Sequence, residues 1–357
     1  MASAPIEVLT GVSLERAGRA LEAQFAVDAD SALTMVLAAY DGDCMVVRFS
    51  TVVDGAEVAC AALPAAPAEP LLRAVRWDLS PDAYRAAVGL LRERIRAGDV
   101  YVLNLTARLE GDCAEPSPDV MFAALADRAS ADMAALVTGI PGAVPWIASV
   151  SPERFLRVRR AGPGPDGLRT VEIEPIKGTR PRGAVPSEDA AIAAGLLSDT
   201  KERAEHVMVV DMERNDLGMV CVPGSIHVDP LYEIVSTPYC HQLVSRVCGA
   251  LRRDATFAQM LASTFPCGSV TGAPKRAAVR IAAELEATPR GTYCGSLLVA
   301  VPGEMDSSVL IRTLEGIEGS PSRARYGAGC GITVDSDAAA EYEEAVLKAS
   351  LVTGDGG

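Results

Sequence analysis

Aromatic residues make up only 4% of this chain, so its core must be built from Ala, Val and Leu. Positive charge is also scarce. Lys+Arg total 33 against Asp+Glu 47, a net −14. No global positive field exists to displace phosphate counterions, and this argues against a nucleic-acid partner. An anionic substrate would need local cations or a metal. There are three histidines, His206, His227 and His241, with no metal-ligand spacing. Nine cysteines are present, at 44, 60, 113, 221, 240, 248, 267, 294 and 330, with no C-x-x-C among them. The odd number and wide spacing argue against a disulfide framework and against a zinc site. No G-x-S-x-G elbow occurs. The start, MASAPIEVLTGVSLERAG, lacks a basic n-region and an apolar h-region, so no signal peptide is expected and the location is read as cytoplasmic. Met133–Val150 is uncharged, but Gly139, Pro141, Gly142 and Pro145 interrupt it. Two buried strands joined by a turn are expected there, not a membrane span.

What remains is a globular composition: 357 residues, 49% hydrophobic, enough for a large core or two fused lobes. Short strands are expected at Thr34–Ala39 and Cys44–Ser50, and an Ala/Pro-rich stretch at 61–70 is a linker candidate. Residues 80–97 have helical periodicity, with Ser80 and Pro81 as N-cap and first turn. Tyr101–Leu109 alternates like a strand. From 117 to 354 helices and strands intermix without βαβ alternation, which reads as α+β. The expected division is a short N-terminal part, 1–75, and a core, 76–357.

Several segments carry candidate chemistry. Gly327-Ala-Gly329-Cys-Gly331 fails as a dinucleotide fingerprint in its spacing; close approach to a ligand or a strand explains three glycines equally well. Gly268-Ser-Val-Thr-Gly272-Ala-Pro-Lys275 departs from a phosphate loop and reads as a turn entering a helix at 275–286, suited to an anion at the helix N-terminus. A helix from Asp199 to Leu217 puts Glu202 and Glu205 on one face, and one from Asp337 to Leu351 aligns Glu341, Glu344 and Lys348. Solvated helix faces have the same appearance. In Pro175-Ile-Lys177-Gly-Thr-Arg180-Pro-Arg182-Gly183, a lysine stands beside two arginines. This is an exposed turn or a shaped anion site, and a lysine crowded by cations can become a nucleophile.

These segments together resemble chorismate-utilising enzymes, the group of anthranilate synthase component I, aminodeoxychorismate synthase component I, isochorismate synthase and salicylate synthase. The resemblance rests on SPERF at 151–155, PIKGTRPRG at 175–183, ERAEHVMVVDMERNDLG at 202–218, STFPCGSVTGAPK at 263–275, TYCGS at 292–296, IRTLEG at 311–316 and GAGCGITVDSDAAAEYEEAVLKA at 327–349. It implies an α+β fold of two packed antiparallel sheets flanked by helices, with the active site between the sheets. It also implies Mg²⁺ held by Glu205 and Glu344, with Glu202 and Glu341 as further or water-bridging ligands. Tyr293, Arg312 and Lys348 would bind the two carboxylates of chorismate. Ser269, Thr179, Gly178, Gly329 and Gly331 would add hydroxyl and backbone donors. Glu153 would be the general acid that protonates the departing C4 hydroxyl.

Within the family, lysine in PIKGT is typical of aminodeoxychorismate synthases, where anthranilate and isochorismate synthases typically have alanine. By this resemblance Lys177 attacks chorismate C2 and ammonia then adds at C4. The product would be 4-amino-4-deoxychorismate, the precursor of para-aminobenzoate, serving folate or an aromatic-amine antibiotic. Val102 stands where water-using members carry a lysine base and ammonia users usually carry glutamine. Gln242 replaces the histidine of the family's His-(Leu/Ile)-Val-Ser, with His241 one place early, and neither is assigned a role. The alternatives are C2 amination, as in anthranilate or aminodeoxyisochorismate synthase, and a non-catalytic chorismate-binding subunit. The chain shows no Cys–His–Glu glutaminase constellation. Ammonia is therefore expected from a glutamine amidotransferase subunit, component II, or from solution.

Overall fold

A computed structural model describes residues 5–26, 33–49, 70–129, 133–139, 145–161, 168–237 and 240–354. The linker candidate at 61–70 lies outside them, Pro70 excepted. Every strand pairing within the three sheets is antiparallel. A nine-stranded sheet runs from Pro5–Val12 at one edge to the short strand His227–Val228 at the other. A seven-stranded sheet is built around Val102–Cys113 and Ser320–Ile332, the longest strand pair. A three-stranded sheet joins Ile176–Pro181, Cys240–Val244 and Glu233–Ser236. Helices and antiparallel sheets together give the α+β fold expected from the sequence.

Alternation of apolar residues gives the two large sheets their mutual contact. Met35, Leu37, Met45, Val47 and Leu297 of the nine-stranded sheet cluster with Ile147 of the seven-stranded one and with Leu310. The nine-stranded sheet buries Val36, Val46, Val158 and Leu298 in a cluster with Leu21, Phe25, Phe257 and Leu261 from the helices Leu14–Ala26 and Phe257–Thr264. The seven-stranded sheet is covered by Pro81–Arg96, Lys275–Leu285, Pro118–Ala129 and Ala338–Thr353. Strands from the first fifty residues belong to the nine-stranded sheet through the pairing of Leu33–Ala38 with Ser296–Val301.

The uncharged run forms the antiparallel pair Met133–Thr138 and Trp146–Ser151; the second is buried throughout as expected, whereas no residue of the first is, because Met133–Thr138 is the edge strand of its sheet. Ser80 caps Pro81–Arg96, its hydroxyl accepting from the Ala83 N–H at 3.2 Å. The strand expected at Tyr101–Leu109 runs instead from Val102 to Cys113, because its partner Ser320–Ile332 continues the ladder to Asp112. Among the described residues all eight cysteines are free, and no helix is long and apolar enough to cross a membrane.

Candidate active site

Two of the points where the chain passes from one sheet to another carry site residues. Lys177 lies in Ile176–Pro181, whose ladder with Cys240–Val244 is irregular between Ile176 and Thr179. There Gly178 takes φ +81°, a conformation glycine adopts without strain, and a Cβ on it would stand 3.0 Å from Glu202 Oε2. Lys177 Nζ meets Glu205 Oε2 of helix Thr200–Gly218 at 3.0 Å. Gly331 borders the same ammonium: a Cβ there would lie 2.8 Å from Lys177 Nζ and 3.9 Å from Val102 Cγ2. The missing side chain makes the room that Lys177 fills, and Val102 supplies an apolar wall to it.

Neither arginine near Lys177 in the chain is an unpaired cation. Arg180 pairs with Glu202 at 3.1 Å and Asp199 at 3.3 Å, while Arg182 pairs with Asp189 at 2.6 Å. The expectation of a lysine crowded by free positive charge is corrected: each arginine is paired with carboxylates of its own, and the charged partner of Lys177 is Glu205.

Two helix N-caps aim the glutamate stripes. Asp199 accepts from the N–H groups of Lys201 and Glu202, and Asp337 from those of Ala339 and Ala340. Glu202, Glu205 and Glu344 each face a cation, Arg180, Lys177 and Lys348 respectively, the last at 2.7 Å. Glu341 is buried with no ion pair among the described residues. Burial pushes its pKa up, against the pull of the Ser336 hydroxyl, and neighbouring Glu344 pushes the same way. Burial also opposes ionisation of Glu344, but Lys348 wins and holds it low. Donor atoms of Cys330, Glu341 and Glu344 lie within 4.8 Å of one another, the one such cluster among the described residues. Glu202 and Glu205 are not part of it. The Cys330 thiol, raised by burial to about 12, stays protonated. The donor set is therefore carboxylate oxygen, including a buried carboxylate short of positive charge. That chemistry fits a hard divalent cation such as Mg²⁺.

Glu153 occupies the other crossing, between Trp146–Ser151 of the seven-stranded sheet and Arg154–Ala161 of the nine-stranded one. Ser151 fixes the turn: its Oγ accepts the Glu153 N–H at 3.2 Å. The Glu153 side chain is buried and Oε1 has no hydrogen-bond partner. Burial raises its pKa to about 8; the Ser269 hydroxyl pulls it down, Glu213 pushes it up, and Lys177 pulls it down. A carboxyl that stays protonated near neutral pH can act as a general acid.

The remaining candidates fall into place unevenly. Tyr293 lies flat against Gly327, where a Cβ would be 2.3 Å from its ring. Arg312, at φ +50°, makes no ion pair among the described residues. Lys348 is committed to Glu344 and, at 2.8 Å, to the Gly329 carbonyl. Gly329 is demanded by strand packing, since its Cβ would stand 2.4 Å from the Leu105 carbonyl oxygen. Thr179 is exposed and pairs with Gln242 in register, on the small sheet. Lys275 does not await an anion: it binds Asp216 at 2.5 Å and the Thr264 carbonyl at 2.6 Å. His241 is held by Asp189 and Ser236, at 2.9 and 2.7 Å.

Three buried groups escaped the sequence reading. His206, next to Glu205, bonds Ser245 Oγ at 2.7 Å, and burial and Lys177 lower its pKa to about 4. Glu213 is buried one oxygen short of full pairing, and Cys267 lies beside it. Glu213 had a signal: it continues the apolar stripe Val209, Val210 and Leu217 at helical spacing.

Comparisons with known proteins agree with this architecture. The chorismate binding enzyme family matches residues 19–354. An aminodeoxychorismate synthase of Streptomyces griseus is 40% identical over 270 residues, which are 75% of this chain and 35% of that protein. Aminodeoxychorismate synthase component 1 of Klebsiella aerogenes is 37% identical over 294 residues, 81% of this chain and 61% of that one. Anthranilate synthase component 1 of Haloferax volcanii is 39% identical over 274 residues, 75% and 49% of the two chains. The chain thus spans less than two thirds of each of these relatives. Among solved structures, anthranilate synthase component I from Streptococcus pneumoniae superposes with a TM-score of 0.79 at 24% identity, covering 99% of this chain and 91% of that one. The menaquinone-specific isochorismate synthase of Escherichia coli gives 0.75 at 18% identity, covering 98% and 85%. The first superposition shares the fold across nearly the whole chain, and the family match spans the elements that carry Lys177, Glu153 and both glutamate pairs. The chain belongs to the chorismate-binding enzyme family.

Proposed function

We propose that this chain is an aminodeoxychorismate synthase component I, converting chorismate and ammonia to 4-amino-4-deoxychorismate. The observation that carries the reading is the position of Lys177: its amine occupies the space left by Gly331, bordered by Val102 and acting electrostatically on Glu153. In the first step Lys177 passes an ammonium proton to Glu205, which returns it when Lys177 leaves, and the freed lone pair of Nζ forms a bond to chorismate C2. The ring double bonds shift, the C4–oxygen bond breaks, and Glu153 gives its proton to the departing hydroxyl, which leaves as water. Ammonia then forms a bond to C4, the C2–nitrogen bond breaks and Lys177 leaves. The proton shed by the added ammonia balances the one Glu153 gave. Val102 offers no base to activate water for the same displacement. Arg312, with no competing ion pair among the described residues, is the cation readiest to take a substrate carboxylate. Mg²⁺ held by the clustered Glu341 and Glu344, with Glu202 and Glu205 joining as they turn from Arg180 and Lys177, would supply further positive charge there. Ammonia is supplied by a glutamine amidotransferase subunit.

The test is turnover of chorismate with Mg²⁺ and an ammonium salt, with the product identified by mass and by its conversion to para-aminobenzoate by an added lyase. Anthranilate as the product would replace this reading with C2 amination. No turnover at all would favour a chorismate-binding subunit.

A further inference from the structure

Behind the Ser269 turn lies a second buried carboxyl that the proposed reaction does not use. Glu213 projects from helix Thr200–Gly218 into the core. Its Oε1 accepts the Gly268 N–H at 2.8 Å and the Cys267 thiol at 3.5 Å, while Oε2 is buried with no partner. The approach depends on Gly268: a Cβ there would stand 2.6 Å from Glu213 Oε1. One residue further on, Ser269 presents its hydroxyl to Glu153, whose Oε1 is likewise unpartnered. Two buried carboxyls, each with one unsatisfied oxygen, therefore flank one three-residue turn.

We propose that Glu213 is a positioning residue for Glu153. One of its oxygens fixes the Cys267–Gly268–Ser269 turn that carries the Ser269 hydroxyl to the acid; the other keeps a second carboxyl close enough to help Glu153 hold its proton. This rests on the reading of Glu153 as the general acid.

The charged and titratable groups facing Glu213 are Asp216 on its own helix, Lys275 at the start of helix Lys275–Leu285, Cys267 on the turn and Glu153 on the crossing. Asp216 and Lys275 are paired at 2.5 Å, so their fields at Glu213 largely offset one another. Burial raises the Glu213 pKa to about 7. Near neutral pH it is partly ionised, and its negative charge disfavours loss of the Glu153 proton. The two carboxyls titrate as a coupled pair.

Glu213→Gln keeps an acceptor for the Gly268 N–H but cannot ionise. A general acid loses activity as pH rises through its pKa, so the pH profile of kcat is measured with free ammonia held constant. The variant is expected to have its alkaline limb at lower pH than wild type and several-fold lower kcat at about pH 8, with KM for chorismate unchanged. Glu213→Leu, which also removes the anchor, should lower kcat at every pH. A Glu213→Gln limb coincident with wild type overturns the proposal. Should that variant fail to fold, the carboxylic-acid infrared bands of wild type and Glu153→Gln decide. The Glu153 band, identified by its loss in Glu153→Gln, must shift in frequency as Glu213 ionises near pH 7, before it titrates itself, and an unshifted band overturns the coupling. Wild-type turnover by Glu153→Gln removes the general-acid reading itself. An inactive Glu153→Gln beside an unshifted Glu213→Gln removes this inference alone.

Discussion

In the proposed reaction Glu153 and Lys177 have separate parts, so their losses should look different. Glu153→Gln removes the proposed proton donor to the leaving hydroxyl, and kcat is expected to fall by about 10²–10⁴-fold with KM for chorismate little changed. Steady-state kinetics at saturating ammonium check this. Lys177→Ala removes the proposed nucleophile but leaves Glu205 and Gly331 in place. With wild type, chorismate and Mg²⁺ but no ammonia, intact-protein mass spectrometry should find an adduct that maps to Lys177 and is absent from the alanine variant. If wild type forms no adduct and Lys177→Ala still aminates C4 at the wild-type rate, lysine is only an electrostatic contact. Its 3.0 Å pairing with Glu205 would then be its whole role.

At the scale of the element, the two capped helices present the carboxylates as preset pairs. Asp199→Ala removes the acceptor for two N–H groups at the start of Thr200–Gly218 and the partner of Arg180. It should cost about 1 kcal/mol of stability and raise the Mg²⁺ concentration needed for half-maximal turnover, read from a denaturant melt and a metal titration. Glu205→Ala or Glu344→Ala should abolish turnover, and chelator-treated wild type should be inactive until Mg²⁺ is restored; full activity in excess chelator would end the metal proposal. Elements of this kind were legible in the sequence because their signals are local. Ser80-Pro81 and the two aspartate N-caps mark helix starts, and glycine and proline split 133–150 into two strands. Burial was not legible. Whether Glu202 is solvated or enclosed depends on Arg180, which comes from the strand Ile176–Pro181, and the apolar stripe that Glu213 continues says nothing of the Gly268 N–H that its carboxyl meets. The arginines near Lys177 were misplaced for the same reason. Adjacency along the chain suggested crowding by positive charge, but Arg180 and Arg182 are each paired with carboxylates from other elements.

For the molecule as a whole, buried titratable groups make stability depend on pH. Glu153 and Glu213 have folded pKa values raised to about 8 and about 7, so the folded state binds their protons more tightly than the unfolded chain. Their contribution is fully present below the unfolded value of about 4.3 and is lost as pH rises through the folded values. His206 works the other way: its folded pKa is lowered to about 4, so stability grows from there to about 6.5, where the unfolded histidine finishes giving up its proton. Between about pH 6.5 and 8 the carboxyl effect therefore stands nearly alone, with a slope of at most about 1.4 kcal/mol per pH unit for each group. The metal-free protein is expected to melt at lower temperature as pH rises through that window, and Glu153→Gln should flatten the trend. A wild-type melting temperature that climbs from pH 6.5 to 8 would contradict the burial of these two acids.

The pairing of Leu37 with Leu297 links positions about 260 residues apart in the chain. Such distant contacts slow folding, because loop closure must be met before the contact contributes. During synthesis Leu33–Ala38 and Cys44–Phe49 can form their hairpin early, but the outer edge of Leu33–Ala38 waits for nearly the whole chain to emerge. That edge reads Leu-Thr-Met-Val-Leu-Ala, apolar and without charge or proline, a sequence prone to pair with another copy of itself. The strand that lets the first fifty residues share a sheet with the catalytic core thus also sets the interval in which a newborn chain is exposed to aggregation.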